Sequence, residues 1–502
     1  MCFLQAAKNF FMKKIISLIA FFIYVTSSAQ IDPSQKVYLG LLHAHTLISD
    51  GSGTPVDAFT RAKSKGLNFF AETPHNHSAA ESGAKERNDG VLIATQPLLY
   101  NGSSNVSVTR KWKENNVQHT ETVSIKPLIK AAQDATSSNF IALYGQEFST
   151  ISSGNHINVF GIDEVLTVAN GDFKGLLAKL KTLPKQTVLQ FNHPDVHMDL
   201  FYNGTKSSIK ENMFNDYGID ANDLGPHFKD FVKAMDPYVH VIEVLSGPAL
   251  SETVESDFKY DPNENDYFFY LKQGFHVSPS LGQDNHYKTW GEITDARVGI
   301  VAKSLSESTI YEALRLNRTF ATEDRNLKVI LYINDSLMGS HVSAGEETEL
   351  NIKVLIEDAD EPNSTYEIEI YGAEIEPQLS TAATDWKAKD GFLETISVSK
   401  NGIYAVPGIF ANKNPWFYYA KVIQNSTDKA WTAPIWVNQK TDSSTNNTAA
   451  PIFFWTSNPS SKVYHIAGCG SIGRISPQNL VSGPVPPAGR TQHNCVVEED
   501  NH

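Results

Sequence analysis

Residues 37–51 read Val37-Tyr-Leu-Gly-Leu-Leu42-His43-Ala-His45-Thr-Leu-Ile-Ser49-Asp50-Gly51. Val37–Leu42 is a short, mostly apolar strand, and polar residues begin the moment it ends. Residues i and i+2 of a strand face one side. His43 and His45 therefore point together into whatever lies beyond that strand end. The arrangement recurs along the chain. Strand-like Leu67–Ala71 runs into Glu72-Thr-Pro74-His75-Asn76-His77, and Phe140–Tyr144 into Gly145-Gln-Glu147. His156 opens the apolar piece Ile157–Phe160, and Thr187–Phe191 leads to Asn192-His193-Pro194. Val239–Val244 carries Glu243 near its end, and Ser280-Leu281-Gly282 leads to Gln283-Asp284-Asn285-His286. Buried without partners, such groups would each cost a few kcal/mol, so a shared chemical task explains them better than packing. Imidazole nitrogen with carboxylate oxygen suits zinc, manganese or iron. Six histidines and three carboxylates exceed one ion's needs, so two or three divalent metal ions are expected.

Between the strands lie helix signals. Thr54–Lys65 has Thr54 as a cap, Pro55 at its start and Gly66 as its stop. Pro127–Ala135, Phe173–Leu180, Phe228–Met235 and Glu307–Leu316 read as further helices. This alternation over residues 36–326 predicts an α/β domain, either a parallel sheet or a barrel whose strand ends gather on one rim. The pattern changes after 326. Leu327–Ile333, Thr348–Ile356, Ser364–Tyr371, Glu394–Val398, Gly402–Val406, Trp416–Ile423 and Ala433–Val437 are short and alternating. They predict an all-β sandwich over 327–439 that packs on the first domain, with Trp386, Trp416, Trp431 and Trp436 mainly in its core. Residues 440–450 form a polar linker, and 451–502 a small Cys/His module.

Composition narrows the function classes. The chain has 502 residues, 41% hydrophobic and 20% charged, with a formal charge of −14. It has ample core, and collagen-like, coiled-coil and disordered classes are excluded. An acidic chain is a poor match to duplex DNA or an anionic membrane, although a metal-lined pocket still admits a small anion. Lys13 and Lys14 precede apolar Ile15–Val25 and the small residues Ser27-Ser28-Ala29. Residues 1–29 thus read as a secretory signal, the chain as exported to the periplasm or beyond, with no membrane span after cleavage.

The motifs His43-Ala-His45-Thr46, Ser49-Asp50-Gly51, Pro74-His75-Asn76, Glu147, His156, Asn192-His193-Pro194 and Asp284-Asn-His286 together resemble the polymerase-and-histidinol-phosphatase superfamily, over about residues 36–326. The ending Tyr311-Glu-Ala-Leu-Arg315-Leu-Asn-Arg318-Thr-Phe-Ala-Thr, followed by β-rich sequence, resembles the secreted carbaryl-hydrolase-like branch. The resemblance implies a distorted (β/α)7 barrel and a di- or trinuclear centre. It implies the ligands His43, His45, Asp50, His75, Glu147, His156, His193, Asp284 and His286, with Glu147 bridging. It also implies phosphoester hydrolysis by a metal-bound hydroxide, on a small-molecule phosphoester, nucleotides and nucleic-acid fragments included. His193 and His286 are expected beside the reacting groups, and Arg297 and Arg325 as cations for the phosphate. One position departs: the family has an acid before the His at 75, and here it is Pro74. Glu72 shares the strand face but lies about 6–7 Å lower, and His77 and His197 are spare histidines beside the motifs. Cleavage of carbamates, esters or amides is the second reading, and a catalytically weak polymer-binding module the third.

The C-terminal pattern, Lys462-Val-Tyr-His465 through Cys469 to His493-Asn-Cys495, partly resembles zinc modules appended to bacterial nucleases. His465, Cys469, His493 and Cys495 suit a second zinc. A Cys469–Cys495 disulfide is the rival in an oxidising compartment.

Overall fold

A computed structural model of the chain describes residues 35–76, 92–114, 117–148, 156–168, 173–183, 187–194, 201–202, 205–206, 232–255, 260, 262–375, 388–425, 427–439, 453–458, 460–466, 475, 479–483 and 490–492. The secretory signal, His77, His197, Trp386, the 440–450 linker, and Cys469, His493 and Cys495 fall outside these residues.

Among the described residues, nine strands of one sheet and five of the longer helices frame the first part. The strands are β1 (Lys36–Leu41), β2 (Phe69–Glu72), β3 (Ile141–Phe148), β4 (Ile157–Phe160), β5 (Val188–Phe191), β6 (Val239–Ser246), β7 (Ser278–Gly282), β8 (Arg297–Ala302) and β9 (Thr319–Thr322). The helices are α1 (Pro55–Ser64), α2 (Leu128–Ala135), α3 (Phe173–Leu180), α4 (Glu264–Lys272) and α5 (Glu307–Arg315). The start of α1 is built as its sequence demands. Thr54 and Asp57 form a reciprocal capping box, Pro55 opens the helix, and Gly66 follows at φ +81°. This satisfies backbone donors that a helix start leaves open.

The strands run side by side in the order β7-β6-β5-β4-β3-β2-β1-β8-β9. β1–β2, β2–β3, β5–β6 and β6–β7 are parallel. The sheet is nonetheless mixed, because β4 runs antiparallel to β3 and β5, and β8 antiparallel to β1 and β9. Reversal of β4 matters for the site. Its first residue, Ile157, pairs with Phe148 and Phe191, the last residues of β3 and β5. His156 therefore starts at the rim where β3 and β5 end. The sheet curls so that its far edge returns: Thr319 Oγ1 donates to the Pro279 carbonyl at 2.6 Å, and Asn317 Nδ2 to the His240 carbonyl at 2.8 Å. This is a curled, strand-rich α/β half-barrel.

Continuity with the second part is direct. Phe320 of β9 pairs with Thr432, and the sheet extends through strands 428–432, 416–424, 365–374 and 392–399. A separate four-stranded sheet (336–337, 328–333, 352–357, 402–406) packs against it. Helix α4 wedges into this junction. Tyr267–Leu271 is buried on every side, and Tyr267 and Phe268 meet the rings of Tyr419 and Phe417 at 5.2 and 5.5 Å. Trp431 and Trp436 are core residues, while Trp416 is half-buried. Outside the sheet, Val106–Glu114 and Val117–Ile125 form a hairpin. No helix among the described residues is long and apolar enough to cross a membrane.

Candidate metal centre

Each loop leaving a strand end at the rim delivers one or two side chains. His43, His45 and Asp50 follow β1. β2 leads to His75, β3 carries Glu147, and His156 precedes β4. His193 follows β5, and Asp284 and His286 follow β7. The structure brings all nine together. Eight fall into three overlapping groups: His45, Asp50, His75 and His286; His43, His45, Glu147 and Asp284; and His75, Glu147 and His156. Within each group the ligand atoms lie within 4.8 Å of one another. The ninth, His193, stands beside them. Its Nε2 is 3.5 Å from Glu147 Oε1 and its ring 4.9 Å from that of His156.

Glu147 is the hub. Its Oε1 lies 3.2 Å from His43 Nε2 and 3.1 Å from His156 Nδ1, and its Oε2 3.1 Å from both His45 Nε2 and His75 Nδ1. Asp284 Oδ1 lies 3.1 Å from His43 Nε2 and 3.0 Å from His45 Nε2. Yet Glu147 Oε2 and Asp284 Oδ1 are buried and make no hydrogen bond. Nitrogen and oxygen at these distances without a hydrogen bond converge on a common point instead of on each other. Ligands about 2.0–2.2 Å from one ion stand roughly 3.3–3.6 Å apart at tetrahedral angles, and closer at narrower ones. Orphaned oxygens and spacing together fit divalent metal ions.

Charge says the same. Burial pushes Glu147 up, but the imidazoles of His43, His75 and His156 outweigh it and hold the carboxyl well below the usual range. Asp284 behaves likewise against His43 and His286. Burial pulls His45 down, yet Asp284 and Glu147 carry it up to about 10. His75, stacked on His45 at 4.6 Å, is pushed by burial to about 3 and stays neutral. The buried carboxylates thus demand positive charge, which protons supply when no metal does.

A second ring of contacts aims the ligands. His286 Nδ1 donates to the Asp284 carbonyl at 2.6 Å, leaving Nε2 3.2 Å from Asp50 Oδ1. Ser49 Oγ accepts from the His75 N–H at 3.0 Å and lies 3.3 Å from His45 Nδ1. Asn192 Nδ2 donates to Glu147 Oε1 at 2.9 Å, and His43 Nδ1 to Glu243 Oε1 at 2.8 Å. Glu243 stands apart from the ligand set read from sequence. A lone acid inside the apolar run Val239–Leu245 is the signal that marks it.

Two expectations need correction. Arg297 is buried, and its guanidinium donates to the carbonyls of Gly291, Thr294 and Ala296, so it braces the loop after Asp284 instead of facing a phosphate. Arg325 is exposed and paired with Asp295 at 2.9 Å. Glu72 does not replace the acid missing at Pro74. It takes a hydrogen bond from Thr46 Oγ1, and burial pushes it up to about 8, so it is largely neutral at pH 7. Pro74 instead ties two strand ends, its carbonyl accepting from the Glu147 N–H at 3.0 Å. In the C-terminal module, His465 is buried between strands 453–456 and 491–492, and its would-be partners lie outside the described residues.

Fold and site define a curled α/β protein with a buried imidazole–carboxylate cluster fitted to divalent metal. No protein-family model and no curated protein matches the chain. Among solved structures, it is similar to a two-domain protein of Bacteroides vulgatus containing a predicted PHP-like metal-dependent phosphoesterase. Identity is 14%, covering 80% of this chain and 96% of that one, with a TM-score of 0.36. A protein of Bifidobacterium adolescentis, also described by expectation as a metal-dependent phosphoesterase, shares 12% identity over 55% of this chain and 95% of that one (TM-score 0.27). Likenesses this loose fix neither fold nor activity.

Proposed function

We infer that this chain is an exported, metal-dependent phosphoesterase of the polymerase-and-histidinol-phosphatase type, cleaving small or nucleotide-like phosphodiesters or monoesters at a di- or trinuclear centre. One observation carries the reading: three ligand groups share His45, His75 and Glu147 across several strand ends, with carboxylate oxygens left unbonded between them. Ions bound there, manganese, zinc or iron, supply Lewis-acid activation of water and of the phosphoryl group. The chain's own residues do the rest. Glu147 and Asp284 hold charge at the floor. His193 is the most open of the ligand-set imidazoles, its side chain 21% exposed. Its Nε2, 3.5 Å from Glu147 Oε1, stands where a leaving oxygen would meet it. With Arg297 and Arg325 engaged elsewhere, the substrate's negative charge is left to bound cations.

The test is turnover by residues 30–502, loaded with manganese or zinc, on a chromogenic phosphodiester, a phosphomonoester and an aryl carbamate, with Asp284→Ala as control. Phosphoester turnover lost in the variant supports the reading. Turnover of the carbamate alone, or none with any metal, overturns it.

A further inference from the structure

We propose that Glu243 is the positioning residue of this centre, fixing the ring of His43 and the backbone of His193 with one carboxylate. The proposal rests on the reading of the cluster as a metal centre. Glu243 is fully buried in β6. Its Oε1 accepts from His43 Nδ1 at 2.8 Å and from Gln190 Nε2 at 3.1 Å, and its Oε2 accepts the His193 N–H at 2.7 Å. Three donors meet two oxygens. A carboxylate accepts them all, whereas an amide offers one oxygen and sets its own N–H groups against a donor.

Both ends of this contact matter to a ligand. A proton on His43 Nδ1, held by Glu243, leaves Nε2 with its lone pair, and Nε2 is the atom that faces Glu147 and Asp284. A carboxylate behind an imidazole fixes its tautomer and raises its basicity as a ligand. At the other end, His193 has φ +29°, outside the usual region for a residue with a side chain. Strain of this kind persists only where neighbours impose it, and the bond from its N–H to Glu243 is such a restraint.

The fold reserves the space. A Cβ on Gly282 would lie 1.7 Å from Glu243 Oε1, so glycine at the end of β7 lets the carboxylate fit beneath the site. Ser280 Oγ donates to Gln190 Oε1 at 2.9 Å, which turns the Gln190 amide nitrogen toward Glu243. Residues on or just beyond β1, β5 and β7 thus converge on a carboxylate that lies outside the three ligand groups.

The test compares wild type, Glu243→Gln, Glu243→Asp and Gly282→Ala, each metal-depleted and titrated with zinc against a chromophoric chelator. Cobalt absorption spectra and the separate kcat and KM values are recorded alongside. Expected are a 10–100-fold loss of zinc affinity in Glu243→Gln, an altered cobalt spectrum, and a fall in kcat with KM little changed. Glu243→Asp is too short to reach both His43 and His193, and Gly282→Ala displaces the carboxylate without changing any polar group. Both should move the same readouts, and they decide the matter if Glu243→Gln fails to fold. Wild-type affinity within threefold and an unchanged cobalt spectrum in the folded variants would overturn the proposal. Failure of the wild type itself to bind zinc would instead remove the metal-centre reading on which it stands.

Discussion

Glu147→Gln is the perturbation that strikes the centre hardest. The carboxylate lies 3.1–3.2 Å from nitrogens of His43, His45, His75 and His156, and it belongs to two of the three ligand groups. Glutamine keeps the shape but removes a buried negative charge. Stripping one partner from a buried ionic set costs about 3–5 kcal/mol, because the opposite charge is left uncompensated. At about 1.4 kcal/mol per decade, that is roughly 10²–10⁴-fold in affinity for the ions that Glu147 holds. Elemental analysis after dialysis against zinc, with chelator competition, reads the effect. The variant should lose at least one ion per chain, and phosphoester turnover should fall with it. Wild-type stoichiometry and affinity within threefold of wild type would refute the assignment of Glu147 as the shared ligand.

Three further outcomes follow from the same structure. In the metal-free protein His45 is raised from 6.5 to about 10, so the stability it contributes is present below pH 6.5 and lost as pH rises toward 10. His75 is lowered from 6.5 to about 3, so its burial costs stability as pH falls below 6.5. Thermal unfolding of metal-free protein should therefore peak near neutral pH, and saturating zinc should remove the decline on the alkaline side; a flat profile in the metal-free protein would contradict this. Arg325→Ala should leave kcat/KM for phosphoesters unchanged. Arg297→Ala should lower Tm by several degrees, since it strips three carbonyls of a buried charged donor; the reverse result would restore Arg325 as the phosphate cation.

The site was readable because its residues break a rule locally: His43, His75, Glu147, His193 and Asp284 sit where apolar runs end and packing alone would choose otherwise. Glu243 broke the same rule, but its partners, His43 and His193, are 200 and 50 residues away in sequence, so its task needed the tertiary contacts. Strand direction was hidden as well. The apolar run Ile157–Phe160 looks the same whether it lies parallel or antiparallel, and only the fold shows that reversal of β4 delivers His156 to the rim. β8 and α4 carry no periodic signal for one reason: β8 and the middle of α4 are buried on all sides, so neither shows a two- or 3.6-residue period. Arg297 misled because a buried guanidinium satisfied by loop carbonyls looks, in sequence, like one waiting for a phosphate.

The most direct measurement is metal quantitation on purified wild-type protein, paired with anomalous diffraction at the metal edge. The account predicts two or three ions per chain, lying among His43, His45, Asp50, His75, Glu147, His156, Asp284 and His286. Fewer than one ion per chain, or ions bound away from these residues, would contradict it.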